Sequence, residues 1–284
     1  MTVAIVTDSC SDITQEEATK HGITVVPVWV RFGDRLFRDG VDIGPDEFFH
    51  RMATGRVHPQ TSAPSPGEFV EVYEKLARHT REIVSIHVTR RHSVTCGAAM
   101  LAKDIVEKDV KGCRIEVIDS EALTMWQGLV VYAARRTAEA GATLQQVVDK
   151  VREAMMYTRG LGLLDTLSYA VRGGRLSKVV AAAESFLRLK PLLTVRTGEV
   201  KSAGFVRKYD RGIEKLRALI SGSKQIEDLA IVHGTMREEA ESLASYARSV
   251  HPGVRPRLVR LGPAIGTHGG PKTLIVVVNQ GKTG

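Results

Sequence analysis

Val3-Ala4-Ile5-Val6-Thr7-Asp8-Ser9 is the stretch from which the fold is read: four apolar residues run directly into three polar ones. An unbroken apolar run of this length suits a strand buried on both faces, as in a parallel sheet covered by helices. Thr7-Asp8-Ser9 then stands at the carboxyl end of that strand, where ligands collect in open α/β sheets, although Asp8 and Ser9 serve equally well as turn caps. Comparable runs recur at 23–30, 83–88 and 114–118, separated by amphipathic stretches. This alternation predicts a parallel sheet with helices on its faces.

Helix starts are marked by chemistry. Ser65-Pro66-Gly67-Glu68 combines a capping box with proline at the first helical position, and Thr143 with Gln146 and Thr235 with Glu238 repeat the capping signal. Gly22, Gly141 and Gly222 stand where helices should stop. Beyond about residue 155 the pattern changes. Residues 191–196 and 199–207 read as strands joined through Thr197-Gly198, which brings in antiparallel pairing. Strands at 228–233, 257–261 and 274–279 follow, with helices near 177–188, 208–220 and 236–250. The expectation is two α/β domains: residues 1–157 with a parallel sheet sandwiched by helices, and residues 158–284 with a mixed sheet and helices.

Composition excludes several classes. At 284 residues the chain can bury two cores, and 43% hydrophobic with 25% charged residues is ordinary for globular domains. The net charge of +8 comes from Lys and Arg spread along the chain, with no dense basic block, so a solvated basic surface is expected, not a nucleic-acid groove. A basic protein also favours an acidic partner. Cys10, Cys96 and Cys113 are odd in number and form no CxxC pair, which argues against a disulfide framework or a structural zinc. No apolar run approaches the roughly 18–20 residues of a membrane span, and no signal-peptide layout opens the chain, so a cytoplasmic protein is expected.

Four further loops carry more small and polar residues than packing requires. In Thr61-Ser62-Ala63-Pro64-Ser65 only Ser65 is needed as a helix cap. Thr89-Arg90-Arg91-His92-Ser93-Val94-Thr95 precedes a helix expected to begin near Ser93, and free N–H groups at such a start suit a carboxylate or phosphate. Arg172-Gly173-Gly174-Arg175-Leu176-Ser177 joins a tight turn to two cations. The last, Gly262 to Pro271, surrounds Thr267 and His268 with glycines and prolines. Gly270-Pro271-Lys272-Thr273 fails as a P-loop, since proline replaces a required glycine and a strand follows, and no HExxH or GxSxG occurs. These loops describe the binding of a small acidic ligand better than catalysis. A competing possibility is an enzyme on a small phosphate or carboxylate metabolite, with Asp8 and His268 as acid and base.

In this order the segments resemble the DegV family of bacterial fatty-acid-binding proteins. The matching stretches are Ile5 to Ser9, Thr61 to Ser65, Ser93-Val94-Thr95, Val117-Ile118-Asp119-Ser120, Arg172 to Ser177, Lys190-Pro191-Leu192-Leu193, Val206-Arg207 and Ile265 to Pro271. The resemblance implies a long-chain fatty acid between two α/β domains, with no other cofactor and no enzymatic activity of the protein itself. It places the carboxylate on Thr61, Ser93 and His268, with Asp8, Ser9, Ser62, Thr95 and Thr267 in supporting loops. It further implies presentation of the acid to a separate fatty acid kinase for phospholipid synthesis, with Arg172, Arg175 and Arg207 facing that partner, and neither nucleic-acid binding nor stable membrane insertion. The chain departs from the family pattern at Ala63, where glutamine is usual, at Pro271-Lys272-Thr273, and in the basic run Arg90-Arg91-His92. That run suggests a shorter or more anionic lipid, and Val94 a narrower entry.

Overall fold

A computed structural model describes residues 3–55, 57–175 and 189–281. The first half contains β1 (Ala4–Asp8), a short 3-10 turn (Ser9–Ser11), α1 (Gln15–Lys20), β2 (Ile23–Val26), β3 (Trp29–Phe32), β4 (Arg35–Arg38), α2 (Pro45–Thr54) and β5 (Gln60–Ser62). It continues with α3 (Pro66–Ala77), β6 (Glu82–His87), α4 (Thr95–Asp109), β7 (Arg114–Asp119), α5 (Thr124–Glu139) and α6 (Leu144–Tyr157). The second half contains β8 (Thr158–Leu164), α7 (Ser168–Arg172), β9 (Lys190–Arg196), β10 (Glu199–Val206), α8 (Tyr209–Gly222) and β11 (Ile226–His233). It ends with α9 (Arg237–Val250), β12 (Arg257–Arg260), α10 (Pro263–Gly269) and β13 (Thr273–Gln280).

β1 is central in a four-stranded, all-parallel sheet of order β2-β1-β6-β7. Side-chain alternation divides its core. Val6, Ile83 and Ile115 pack toward Phe69, Tyr73 and Ala102 of α3 and α4, while Ile5, Val84 and Ile86 pack toward α5 and α6. The second sheet has six strands in the order β10-β9-β8-β13-β11-β12, mixed because β11 and β12 run parallel and every other pair antiparallel. Ala230, Val232, Ile275 and Val277 of this sheet meet the same α5–α6 layer, and Leu216, Ile220 and Leu243 of α8 and α9 cover its other face. The helix layer α5–α6 is thus shared by both sheets. That position explains why α5 is apolar nearly all round, from Met125 through Ala134.

Local chemistry matches most expected boundaries. Both capping boxes at Ser65–Glu68 and Thr143–Gln146 form, and Thr197-Gly198 turns the β9–β10 hairpin with both residues at positive φ (49° and 78°), the backbone of a type I′ turn. Asn279, the only asparagine of the chain, donates to the Ala154 carbonyl and Thr158 Oγ1, tying the end of α6 to the start of β8.

Three expectations are corrected. The run 23–30 is two strands in two sheets: Pro27 has no N–H to donate, the chain leaves the parallel sheet there, and β3 joins an antiparallel sheet of order β4-β3-β5. Thr235 is no cap; α9 begins at Arg237, and Thr235 bonds the Pro271 carbonyl through both its N–H and its hydroxyl. The helix expected at Ser93 begins at Thr95, because Ser93 turns its hydroxyl onto Thr95. The helix read at 177–188, with Leu176 and Ser177, lies outside the described residues.

Candidate functional site: an apolar cavity with one polar wall

Between the two sheets lies a cavity of about 1060 Å³ including its mouth. Its walls are mostly apolar: Val28, Val88, Leu123 and Trp126 from the first half, Leu164, Leu193, Val195, Val200 and Ile275 from the second. Its polar side chains are Thr61 and Ser62, His92 and Ser93, Arg175 and His268, with Thr194 and Thr273 on the second sheet. Ala63, the site of a departure from the family pattern, also lines the cavity.

His268 is held by contacts at both ends of α10. At the start, the buried Asp12 carboxylate accepts from the Gly262 N–H at 2.9 Å, and the buried Asp39 carboxylate accepts from the Ala264 N–H at 3.4 Å. Asp12 also accepts the Thr124 hydroxyl. Burial pushes the Asp12 carboxyl up to about 7 and Asp39 up to about 8, with hydrogen bonds from these donors pulling back and the Asp12 charge adding to the rise at Asp39. Gly266 lets the helix approach Phe48 and Phe49, where an added Cβ would come within 2.9 and 3.0 Å of the rings.

At the other end, Gly173 makes room for the imidazole: a Cβ there would sit 2.0 Å from His268 Nδ1. Gly173 is therefore the seat of His268, while Gly174 takes the positive φ of the turn that follows (69°). Thr61 Oγ1, brought alongside by pairing of β5 with β3, lies 3.3 Å from His268 Nε2. Burial, followed by the charge of Arg175, drives the His268 pKa down to about 3, so the ring is neutral at neutral pH. Its Nδ1 is buried and has no hydrogen-bond partner among the described residues.

The basic loop is engaged with the β9–β10 hairpin. Thr89 Oγ1 donates to the Gly198 carbonyl at 3.0 Å, Arg91 pairs with Glu199 at 3.4 Å, and the Val200 N–H donates to His92 Nε2 at 3.4 Å. That last bond requires an unprotonated Nε2, consistent with burial lowering the His92 pKa. Arg91 and His92 thus fasten the hairpin across the cavity. Val94 is 75% exposed and does not line the cavity, so it does not narrow the entry.

Other predicted residues fall elsewhere. Asp8 is fully buried behind the wall, accepting from the N–H groups of Cys10 and Val88 and from His87 Nδ1. His87 Nε2 meets Ser85 Oγ at 2.7 Å, and Tyr73 donates to Ser85. Asp8, His87 and Ser85 have the connectivity of a hydrolytic triad, yet all three have no exposed surface and none lines the cavity. The pairing of Asp8 with His268 as acid and base is therefore not formed. Ser9 Oγ accepts the Val28 N–H and Thr267 donates to the Pro263 carbonyl, so these two secure backbone, while the Thr95 hydroxyl is buried against that of Ser93; none of the three lines the cavity. Ser62, Ser93 and Arg175 do face it; Arg172 and Arg207 are exposed away from it.

The residues missed from sequence are Asp12, Asp39 and the apolar walls. Asp12 and Asp39 contact Gly262 and Ala264, more than 200 positions away, and no local pattern encodes that meeting. Among the described residues no cluster of three or more His, Cys, Asp or Glu is placed to hold a metal ion, and no helix is long and apolar enough to cross a membrane.

Comparison with known proteins gives one consistent result. The family model described as "Uncharacterised protein, DegV family" matches residues 2–280. A DegV domain-containing protein of Caldanaerobacter subterraneus is 35% identical, with 95% of each chain covered, and one of Streptomyces coelicolor is 33% identical over 98% of each. Among solved structures, a fatty-acid-binding DegV protein of Bacillus subtilis superposes with a TM-score of 0.89 at 26% identity, covering 99% of this chain and all of that one. A stearic-acid-binding protein of Eubacterium ventriosum gives 0.89 at 27% identity over 98% of each chain. A DegV family protein of Thermus thermophilus, described for its fatty acid binding, gives 0.87 at 28% identity over 99% of this chain and all of that one.

Proposed function

From the premise that this chain belongs to the DegV family, we propose that it binds a long-chain fatty acid in the cavity between its two sheets, as its structural neighbours are described to do. The observation that supports this is the make-up of the site: apolar walls that suit an acyl tail, with Thr61 and His268 3.3 Å apart and Ser93 also lining the cavity. Each methylene moved from water into such walls contributes about 0.8 kcal/mol, so the tail supplies affinity while a few polar groups orient the head. Thr61 and Ser93 donate hydroxyl hydrogens to the carboxylate. The neutral His268 ring donates through one nitrogen, and Arg175 at the rim adds charge without burying it.

On this reading the protein is a carrier that performs no chemistry itself. It presents the acid to a separate fatty acid kinase, with Arg172, Arg175 and Arg207 on the presenting face. Purification under gentle conditions followed by mass spectrometry of the released lipid should recover a fatty acid in near-stoichiometric amount. A protein that carries none and ignores added oleate and palmitate would refute the proposal. Charge reversal of Arg172 and Arg207 should slow phosphorylation of the bound acid by a purified fatty acid kinase while leaving lipid binding intact.

A further inference from the structure

Trp126 stands between two cavities. Its side chain lines the apolar cavity described above and also a second cavity of about 1510 Å³, whose walls include Glu121, Arg159 and Arg196. Among the described residues only Thr194 and Val195 of β9 share that double position. The indole rests against β8 at Gly160, where a Cβ would lie 2.4 Å from the six-membered ring, so glycine is required for the ring to occupy this place. Its Nε1 is buried and has no hydrogen-bond partner among the described residues. Leaving such an N–H unpaired is a cost that a phenylalanine would avoid. The size of the indole is what the position uses.

Strand β8 serves as a ruler. Gly160 backs Trp126, Leu164 lines the same cavity four residues on, and α7 then leads to Gly173, which backs His268. At about 3.3 Å per residue, Gly160 and Leu164 are roughly 13 Å apart. Leu164 stands opposite Thr273, whose hydroxyl donates to the Gly269 and Gly270 carbonyls next to His268, whereas Gly160 stands opposite Val277, so His268 and Trp126 lie toward different ends of β8. Beyond the indole the second cavity has apolar walls in Val130, Met155, Leu161 and Leu219 together with Glu121, Arg159 and Arg196, so the indole itself is what separates the two spaces.

We infer that Trp126 sets the length of acyl chain this protein accepts, its indole forming the end wall against which the terminal methyl stops. The inference rests on the fatty-acid proposal above. It is tested by measuring the affinity of the wild type and Trp126→Ala for a ladder of saturated acids from laurate to behenate. In the wild type, affinity should rise about fourfold per methylene, the equivalent of about 0.8 kcal/mol, and then break off. In Trp126→Ala the break should move at least two carbons longer. A break at the same length in both proteins overturns the inference while leaving the fatty-acid proposal intact; no binding of any acid by the wild type overturns both. Should Trp126→Ala not fold, Trp29→Phe leaves Trp126 as the sole indole, since Trp29 lines neither cavity. Stearate brominated near its methyl end should then quench fluorescence several-fold more than stearate brominated near its carboxyl, and equal quenching overturns the inference.

Discussion

Two polar groups in this protein use the same residue types for opposite ends. Asp8, His87 and Ser85 form a chain of hydrogen bonds sealed inside the parallel sheet; Thr61, Ser93 and His268 meet at the wall of an open cavity. In the first, a consistent proton assignment runs from Tyr73 through Ser85 to His87 and on to Asp8, so each of these hydrogen bonds pairs a donor with an acceptor. In the second, Thr61 Oγ1 meets His268 Nε2 and Ser93 Oγ meets Thr95, yet all three side chains of the group line the cavity, and His268 Nδ1 has no hydrogen-bond partner among the described residues. A network sealed inside the sheet fixes structure, whereas one that lines an apolar cavity is open to a ligand. Access, not residue identity, separates the two.

The largest expected effect breaks the sealed chain. Asp8→Ala strands the N–H groups of Cys10 and Val88 and the His87 ring in a buried site, and should cost about 3 kcal/mol or more of stability, read from urea unfolding midpoints. The folded fraction should still bind lipid. Loss of binding with unchanged stability would place Asp8 in the functional site after all.

Substitutions in the open group should do the reverse. Thr61→Val or His268→Ala should each weaken fatty acid binding about tenfold, near 1.4 kcal/mol, with little change in unfolding midpoint. Isothermal titration with palmitate measures the first effect and thermal unfolding the second.

The two carboxylates that hold α10 predict a pH dependence. The pKa of Asp39 in the folded protein, about 8, lies above its unfolded value, so its contribution to stability is complete at acid pH and is lost as pH rises through 8. Asp12, at about 7, acts in the same direction, while His268, held near 3, makes the protein lose stability only as pH falls below about 6.5. Wild-type stability should therefore decline from about pH 4 to about pH 8 and level off above it, and Asp39→Asn should flatten that decline, with Asp8, Asp12 and the Ser9 hydroxyl unchanged around it. Denaturant titration across this range is the check; an unaltered slope would show that Asp39 titrates normally. The smallest effect belongs to Arg91, largely exposed, and Glu199, partly exposed, whose coupling in a double-mutant cycle should not exceed about 1 kcal/mol.

The parallel sheet was legible because strands buried on both faces are nearly all apolar, as Val3 to Val6 are and as Ile83 to Ile86 are but for Ser85. The caps at Ser65 and Thr143 were legible because they are short-range chemistry. Thr61, Ser93 and His268 could be named from loop composition and family resemblance, and the fold does bring them to one cavity. Asp8 was misread as available because sequence shows a polar residue at a strand end without showing that three donors already occupy it. The small sheet β4-β3-β5, the Asp12 and Asp39 contacts with α10, and the wall at Trp126 depend on meetings between distant segments, which no local pattern carries.

The contrast between the two groups is tested most directly by carbon-13 NMR of palmitate labelled at its carboxyl carbon. With the wild type, the bound carboxyl should give a resonance distinct from free palmitate, and that resonance should move in Thr61→Val and in His268→Ala. An Asp8→Asn protein that remains folded should leave it in place. A bound resonance indifferent to Thr61 and His268, or one that shifts only with Asp8, would contradict the assignment of the open group as the carboxylate site.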